Sequence, residues 1–214
     1  MPFMLPVVLA MAQALAGPDL DKLLSPKGYP VGSIQRGRSA AALVRVLIDP
    51  DGIVVRCETM ATVGSESLAN EVCGRAHHRK VHPASDANGR PAWSQATTMA
   101  QFYVAGSLEA DHVAHSGPDP DAQLTVSRLP ASSGSAAGQA DANQADVRVV
   151  VAVDEQGKAV DCAIDPRPPY GTNPRLAAVV CANRAMLGTK PVSDPGGRPV
   201  RYVRPMTVRL ITGG

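Results

Sequence analysis

The stretches HPASDANGRP, residues 82–91, and KPVSDPGGRP, residues 190–199, are one polar turn written twice. Six of ten positions are identical: Pro83/Pro191, Ser85/Ser193, Asp86/Asp194, Gly89/Gly197, Arg90/Arg198 and Pro91/Pro199, all at an offset of 108 residues. Gly, Pro, Ser and Asp are ordinary loop residues, so composition alone could produce such a pair. The flanks exclude that. At the same offset Leu68, Ala69, Val72 and Cys73 meet Leu176, Ala177, Val180 and Cys181. Upstream, at an offset of 105, Val44, Val46, Asp49, Gly52, Val55 and Cys57 meet Val149, Val151, Asp154, Gly157, Val160 and Cys162. A three-residue insertion near Pro166–Tyr170 accounts for the change of offset. Matched cysteines and apolar spacing mark an internal duplication. Its period is domain-sized, beyond the roughly 20–50 residues of a solenoid repeat.

Each copy reads β-β-α-β. Leu43–Asp49 and Ile53–Thr59 are apolar, β-branched runs separated by Pro50-Asp51-Gly52, a hairpin signal. Val147–Asp154, Gln156-Gly157 and Lys158–Ile164 repeat it. A helix follows over Glu66–Arg79, with Ser65 as its expected N-cap. Its counterpart has Asn173 at the cap and Pro174 at the first helical position, where a missing N–H costs little. Leu68, Ala69, Val72, Cys73 and Ala76 form an apolar stripe that suits packing on a sheet. The decapeptide then reverses the chain into a third strand, Trp93–Val104 or Arg201–Thr212. Gly106–Ala145 is rich in small and polar residues and reads as a linker, with one short strand at Leu124–Leu129.

By period two, Cys57 and Cys162 lie on the core faces of their strands, and Cys73 and Cys181 lie on the apolar helix stripes. Four cysteines permit three pairings. The expected bonds are Cys57–Cys73 and Cys162–Cys181, one within each repeat. Each closes a short loop, worth about 3 kcal/mol in the chain-entropy model. A disulfide framework implies an oxidising compartment. The N-terminal run MPFMLPVVLAMAQALAG is uncharged and too short to span a bilayer comfortably, and it ends in Ala14-Leu15-Ala16, a small-x-small cleavage pattern. The expected organisation is a signal peptide over 1–16, a first module over 17–105, a linker over 106–145 and a second module over 146–214.

Net charge is +2 with a pI near 8.4, without the basic bias of a nucleic-acid surface. With 3% aromatic residues, stacking platforms for bases or sugars are scarce. Nothing in the sequence calls for a cofactor. Cys73, His77, His78 and His82 offer a metal-ligand spacing, and Cys57 or Cys73 with His77 offers a nucleophile and base. The duplication weighs against both. Ala185, Met186 and Lys190 stand where the histidines would recur, and cysteines matched in both copies read as structural. Helix-end histidines favour the C-terminal dipole, and His112 and His115 lie in the linker. No phosphate loop, Gly-x-Ser-x-Gly turn or His-Glu-x-x-His helix occurs.

Taken together, Tyr29-Pro30 before the first strand, the strand-Asp-x-x-Gly-strand hairpin, the helix opening Glu66-Ser67-Leu68, and Pro83-Ala84 with Gly89-x-Pro91 before a last strand resemble the C-terminal domain of the energy transducer TonB. The likeness covers about residues 29–104 and, less fully, 146–212. Neither the uncleaved membrane helix nor the long Pro-rich spacer of TonB is visible in it, a retained N-terminal membrane anchor standing as the alternative to a cleaved signal, and the second copy lacks the Tyr-Pro lead-in. The resemblance implies an α+β fold of two tandem modules, each a three-stranded antiparallel sheet packed by one helix. It also implies a non-enzymatic periplasmic adaptor that binds a protein partner, a segment of an outer-membrane receptor. Binding would occur by strand addition at the final strands, placing Gln95, Thr97, Met99, Gln101 and Tyr103, or Val203, Met206 and Val208, at the partner-binding edge. The alternative is a structural envelope protein that forms homodimers through its edges. The export reading is checked by N-terminal sequencing of the natural protein, which is expected to begin at Gly17; a start at Met1 in a cytosolic protein would overturn it.

Overall fold

The structure is a computed structural model that describes residues 15–20, 23, 36–108, 110–114, 118–129, 143–165 and 173–213. The Tyr29-Pro30 lead-in, the Pro166–Tyr170 insertion, His115 and most of the proposed signal peptide lie outside the described residues.

Aspartate and glycine build the same hairpin in each repeat. It joins β1 (Ala40–Ile48) to β2 (Val54–Gly64), and later β6 (Gln144–Val153) to β7 (Ala159–Ile164). Asp49 Oδ1 accepts the Ile53 N–H at 2.8 Å, and Asp154 Oδ1 accepts the Lys158 N–H at 2.8 Å. Gly52 and Gly157 hold φ of +83° and +82°, a region that favours glycine. Space excludes a side chain there as well. A Cβ on Gly52 would strike the Val81 carbonyl, and one on Gly157 would strike the Pro191 nitrogen.

Helix α1 (Glu66–Ala76) buries Leu68, Ala69, Val72 and Ala76, the stripe read from the sequence. Its boundary residue Ser65 does not cap through its side chain; its Oγ lies 3.3 Å from Ser67 Oγ. Asn173 does cap, its Oδ1 accepting the Arg175 N–H at 3.0 Å ahead of the last helix. The duplicated decapeptide is a second hairpin. In repeat one β3 (Ala84–Ser85) pairs with the start of β4 (Pro91–Phe102), and Asp86 Oδ1 accepts N–H groups from Asn88 and Arg90 at 2.8 and 2.9 Å.

Between the repeats lie a short helix, α2 (Ala110–Ala114), and β5 (Ala122–Val126). The linker therefore carries structure, and its strand starts and ends earlier than the expected Leu124–Leu129. Repeat two ends with α3 (Pro174–Ala182), the small hairpin β8 (Val192–Ser193) with β9 (Pro199–Val200), and β10 (Tyr202–Thr212). Here Asp194 Oδ1 accepts the Arg198 N–H at 3.0 Å, and Oδ2 accepts Arg198 Nε at 3.0 Å. That backbone N–H is the main cause of an Asp194 carboxyl held below its ordinary value.

The expectation of two separate three-stranded modules is corrected here. The antiparallel triplets β2-β1-β4 and β10-β6-β7 exist, but their final strands pair with each other, giving one mixed eight-stranded sheet in the order β2-β1-β4-β10-β6-β7, with β3 added on β4 and β5 on β10. Strand makes up 47% of the described residues and helix 16%, so the chain is mostly β. The junction is short and parallel: Tyr202 opposes Trp93 and Val203 opposes Ser94.

Its register sets the architecture. By the 108-residue offset the equivalent of Trp93 is Arg201, yet Trp93 opposes Tyr202, one residue further on. A shift of one residue exchanges the faces of a strand. Ala96 and Ala100 of β4 pack with Leu68 and Val72 of α1. Trp93, of opposite parity, packs with Tyr202, Ala177 and Val180 in the core beneath α3. The helices thus lie on opposite faces of one sheet.

Each repeat also helps to cover the other. Leu47 and Val55 of repeat one join Val192, Val200 and the core under α3, while Ala84 and Ala92 join Val150, Ala152, Ala163 and Val203 of repeat two. The core beneath α3 thus draws on residues of both repeats. Gly52→Ala and Gly157→Ala should each lower stability by about 2 kcal/mol or more, since neither the φ nor the space admits a methyl group; the shift of the urea midpoint measures it.

Candidate partner-binding surface

Both expected disulfides are present. Cys57–Cys73 and Cys162–Cys181 each span Cα atoms 5.3 Å apart and tie a strand to the helix above it. Among the described residues no cysteine is free. Cys73 is therefore no thiolate, neither nucleophile nor metal ligand. His77 and His78 stack edge to face at 4.1 Å at the exposed end of α1, and His82 and His112 are also exposed. No group of three or more His, Cys, Asp or Glu side chains converges to hold a metal among the described residues.

The final strands lie inside the strand order where the resemblance implied outer edges, although β4 meets β10 only at Trp93 and Ser94. Val203, Met206 and Val208 are 2%, 1% and 0% exposed, so no partner can reach their side chains. β10 is lined by β6 from Ile211 back to Tyr202, and on its other side by β4 at Tyr202–Val203 and by β5 at Val208–Thr212. Asp121 secures β5: its carboxylate meets Arg204 at 2.7 Å and accepts the Thr207 N–H at 2.9 Å. Gln95, Thr97 and Met99 are half-buried within β4, which pairs with β1 from Ser94 to Phe102. Gln101 is exposed, but its side-chain amide donates to the Val113 carbonyl of α2 at 3.0 Å. Tyr103, 52% exposed, lies just past the strand.

The outer strands are instead β2 and β7. Both carry bulges. Met60 is the extra residue where Leu43 opposes Ala61 and Val44 opposes Thr59, and Val160 is the extra residue where Val153 opposes Ala159 and Ala152 opposes Asp161. Both bulged side chains are exposed, at 41% and 46%. Past its bulge, β2 runs regularly from Ala61 to Gly64 against Leu43 to Ala40.

Charge lies in local pairs. Arg148 meets the fully buried carboxylate of Asp165 at 2.9 Å, and Arg209 meets Asp146 at 2.8 Å, which raises the Arg209 value. Arg90 and Arg198 recur because both turns carry them; Arg198 meets Asp194 at 2.9 Å. Burial raises the Tyr202 hydroxyl, which donates to the Lys190 carbonyl at 2.6 Å.

Tyr202 exposes a difference between the repeats that similarity alone conceals. Its equivalent is Ser94, whose buried hydroxyl finds no partner among the described residues. The equivalent of the Lys190 carbonyl is that of His82, which accepts the Asp19 N–H at 3.1 Å. Leu20 and Leu23 join the core beneath α1, so the N-terminal segment completes repeat one where an aromatic ring completes repeat two. Only the apolar spacing of Leu20 and Leu23 hinted at this.

No family model matches the chain, and no curated protein or solved structure matches it significantly. Among the described residues no helix is long and apolar enough to cross a membrane. Replacing Cys57 and Cys73 together by Ala should cost about 3 kcal/mol, with a similar loss for Cys162 and Cys181; chemical denaturation under non-reducing conditions measures both.

Proposed function

We propose that this chain is a non-enzymatic, exported envelope protein that resembles the TonB C-terminal domain and binds an extended segment of a protein partner by strand addition. The observation that carries this reading is the position of β2 at the end of the sheet. An outer strand offers backbone N–H and C=O groups to an incoming chain, which gains affinity without particular side chains. β2 has 11 residues against six in β7, and Met60, Ala61 and Thr62 are exposed along it. The regular stretch Ala61–Gly64 is the docking edge. The disulfides support export, because such bonds persist in oxidising compartments. By the TonB resemblance the partner is a segment of an outer-membrane receptor, and the role is in energy-dependent transport.

The bulges at Met60 and Val160 favour this reading over self-assembly. A bulge bends an edge strand and interrupts long edge-to-edge pairing, while leaving a short regular stretch usable. Cross-linking in intact cells identifies the partner. Successive N–H groups of a strand point to opposite edges, so one of Ala61→Pro and Thr62→Pro deletes an outward donor and the other a donor to β1. The variant that keeps its disulfides and circular dichroism should recover roughly fivefold less partner, the worth of about one hydrogen bond. Recovery at the wild-type level would overturn the reading, and a partner that proves to be a second copy would favour self-association.

A further inference from the structure

The second repeat has an apolar back face. Val150, Ala152, Ala163 and Val203 stand where the first repeat has Arg45, Leu47, Glu58 and Gln95. In the first repeat that face carries the ion pair of Arg45 and Glu58, 3.6 Å apart, beside Leu47, which packs with Val192 and Val200 of the other repeat. In the second it is covered by Ala84 of β3 and by Leu15, which is 4% exposed. Leu15 is held there by backbone pairing. The Ala16 N–H donates to the Ser85 carbonyl at 3.1 Å, and the Ser85 N–H donates to the Ala16 carbonyl at 2.9 Å. The Asp19 N–H reaches the His82 carbonyl on the same side. Residues 15–19 therefore add to β3 as an extended antiparallel segment with one aliphatic side chain set in a pocket. The matching residue Ser193, on β8, pairs only with β9 among the named strands.

We infer that the cleft between the outer side of β3 and this apolar face is a peptide-binding site, taking an extended protein segment with a large aliphatic residue followed by a small one. Leu15-Ala16 is its occupant within the chain. The two elements of recognition are separate: β3 supplies backbone donors and acceptors that any extended chain satisfies, and the pocket selects the side chain. Val150, Ala152, Ala163 and Val203 offer no polar partner, so an aliphatic group fits and a charge does not. This site is distinct from the β2 edge and stands or falls independently of it. Cleavage after Ala16, on the export reading, would remove Leu15 and leave the cleft to a partner.

The test uses the full chain. Leu15→Asp removes the occupant's anchor, and Leu15→Ala does so with less risk to folding. A fluorescent peptide copying Gln13–Asp19 is titrated into wild type and both variants, with a control peptide carrying Asp in place of the leucine. The copied peptide should bind a folded variant about tenfold or more tighter than wild type, where the tethered segment competes at high effective concentration. The control peptide should bind on the order of a hundredfold more weakly. Hydrogen exchange at the Ser85 N–H should speed up in the variants and slow again with the copied peptide. Absence of peptide binding by either folded variant, equal binding of the two peptides, or wild-type dimers that exchange the segment without binding peptide would each overturn the proposal. Partner recovery that responds to the β2 prolines but not to Leu15 would leave the edge reading standing and remove this one.

Discussion

The pairing of Trp93 and Ser94 with Tyr202 and Val203 is the contact on which the rest of the architecture depends. It is only two residue pairs long, yet it joins two antiparallel triplets into one sheet and fixes which face each helix occupies. Because side chains alternate along a strand, setting Trp93 against Tyr202 rather than Arg201 turns the second repeat over relative to the first. Each helix then shields one face of its own half, and the other face of that half must be shielded by something else.

That requirement organises the remaining segments. The hairpin of each repeat reaches over the opposite half, bringing Ala84 and Ala92 onto Val150 and Val203, and Val192 and Val200 into the cluster with Leu47 and Val55. β5 flanks the distal half of β10 after β4 has paired with its start. The N-terminal segment fills what is left in both halves: Leu15 on the apolar back face of repeat two, Leu20 and Leu23 beneath α1 in repeat one. Duplication supplied two similar halves, and fusion made them unequal. Ser94 and Tyr202, equivalent in sequence, now serve different cores, one with a hydroxyl that has no partner among the described residues and the other with a buried ring bonded to Lys190.

Fusion also moves the surface available for binding. In a single three-stranded module the final strand would lie at an edge. Here β4 and β10 occupy the middle of the sheet, and the outward positions pass to β2 and β7. Their bulges at Met60 and Val160 limit how much regular edge is offered. Strand addition at β3 shows that the chain already uses backbone pairing to hold an extended segment, with a side-chain pocket beside it.

Sequence alone determined what is local and what is duplicated. The Asp-Gly turns, the helix stripes, the decapeptide hairpins and the intra-repeat disulfides were legible because each depends on residues within about 20 positions of one another, and each appears twice. Ser65 does stand at the N-cap position, but its side chain makes no capping hydrogen bond and faces Ser67 instead, a rotamer choice no pattern encodes. Tertiary structure decided how the halves meet, which strands lie outermost and what covers the second face. Those outcomes rest on a two-pair parallel junction between residues more than a hundred positions apart. Period-two alternation shows that a strand has two faces, but it carries no signal for which distant strand will lie beside it or in which of two adjacent registers.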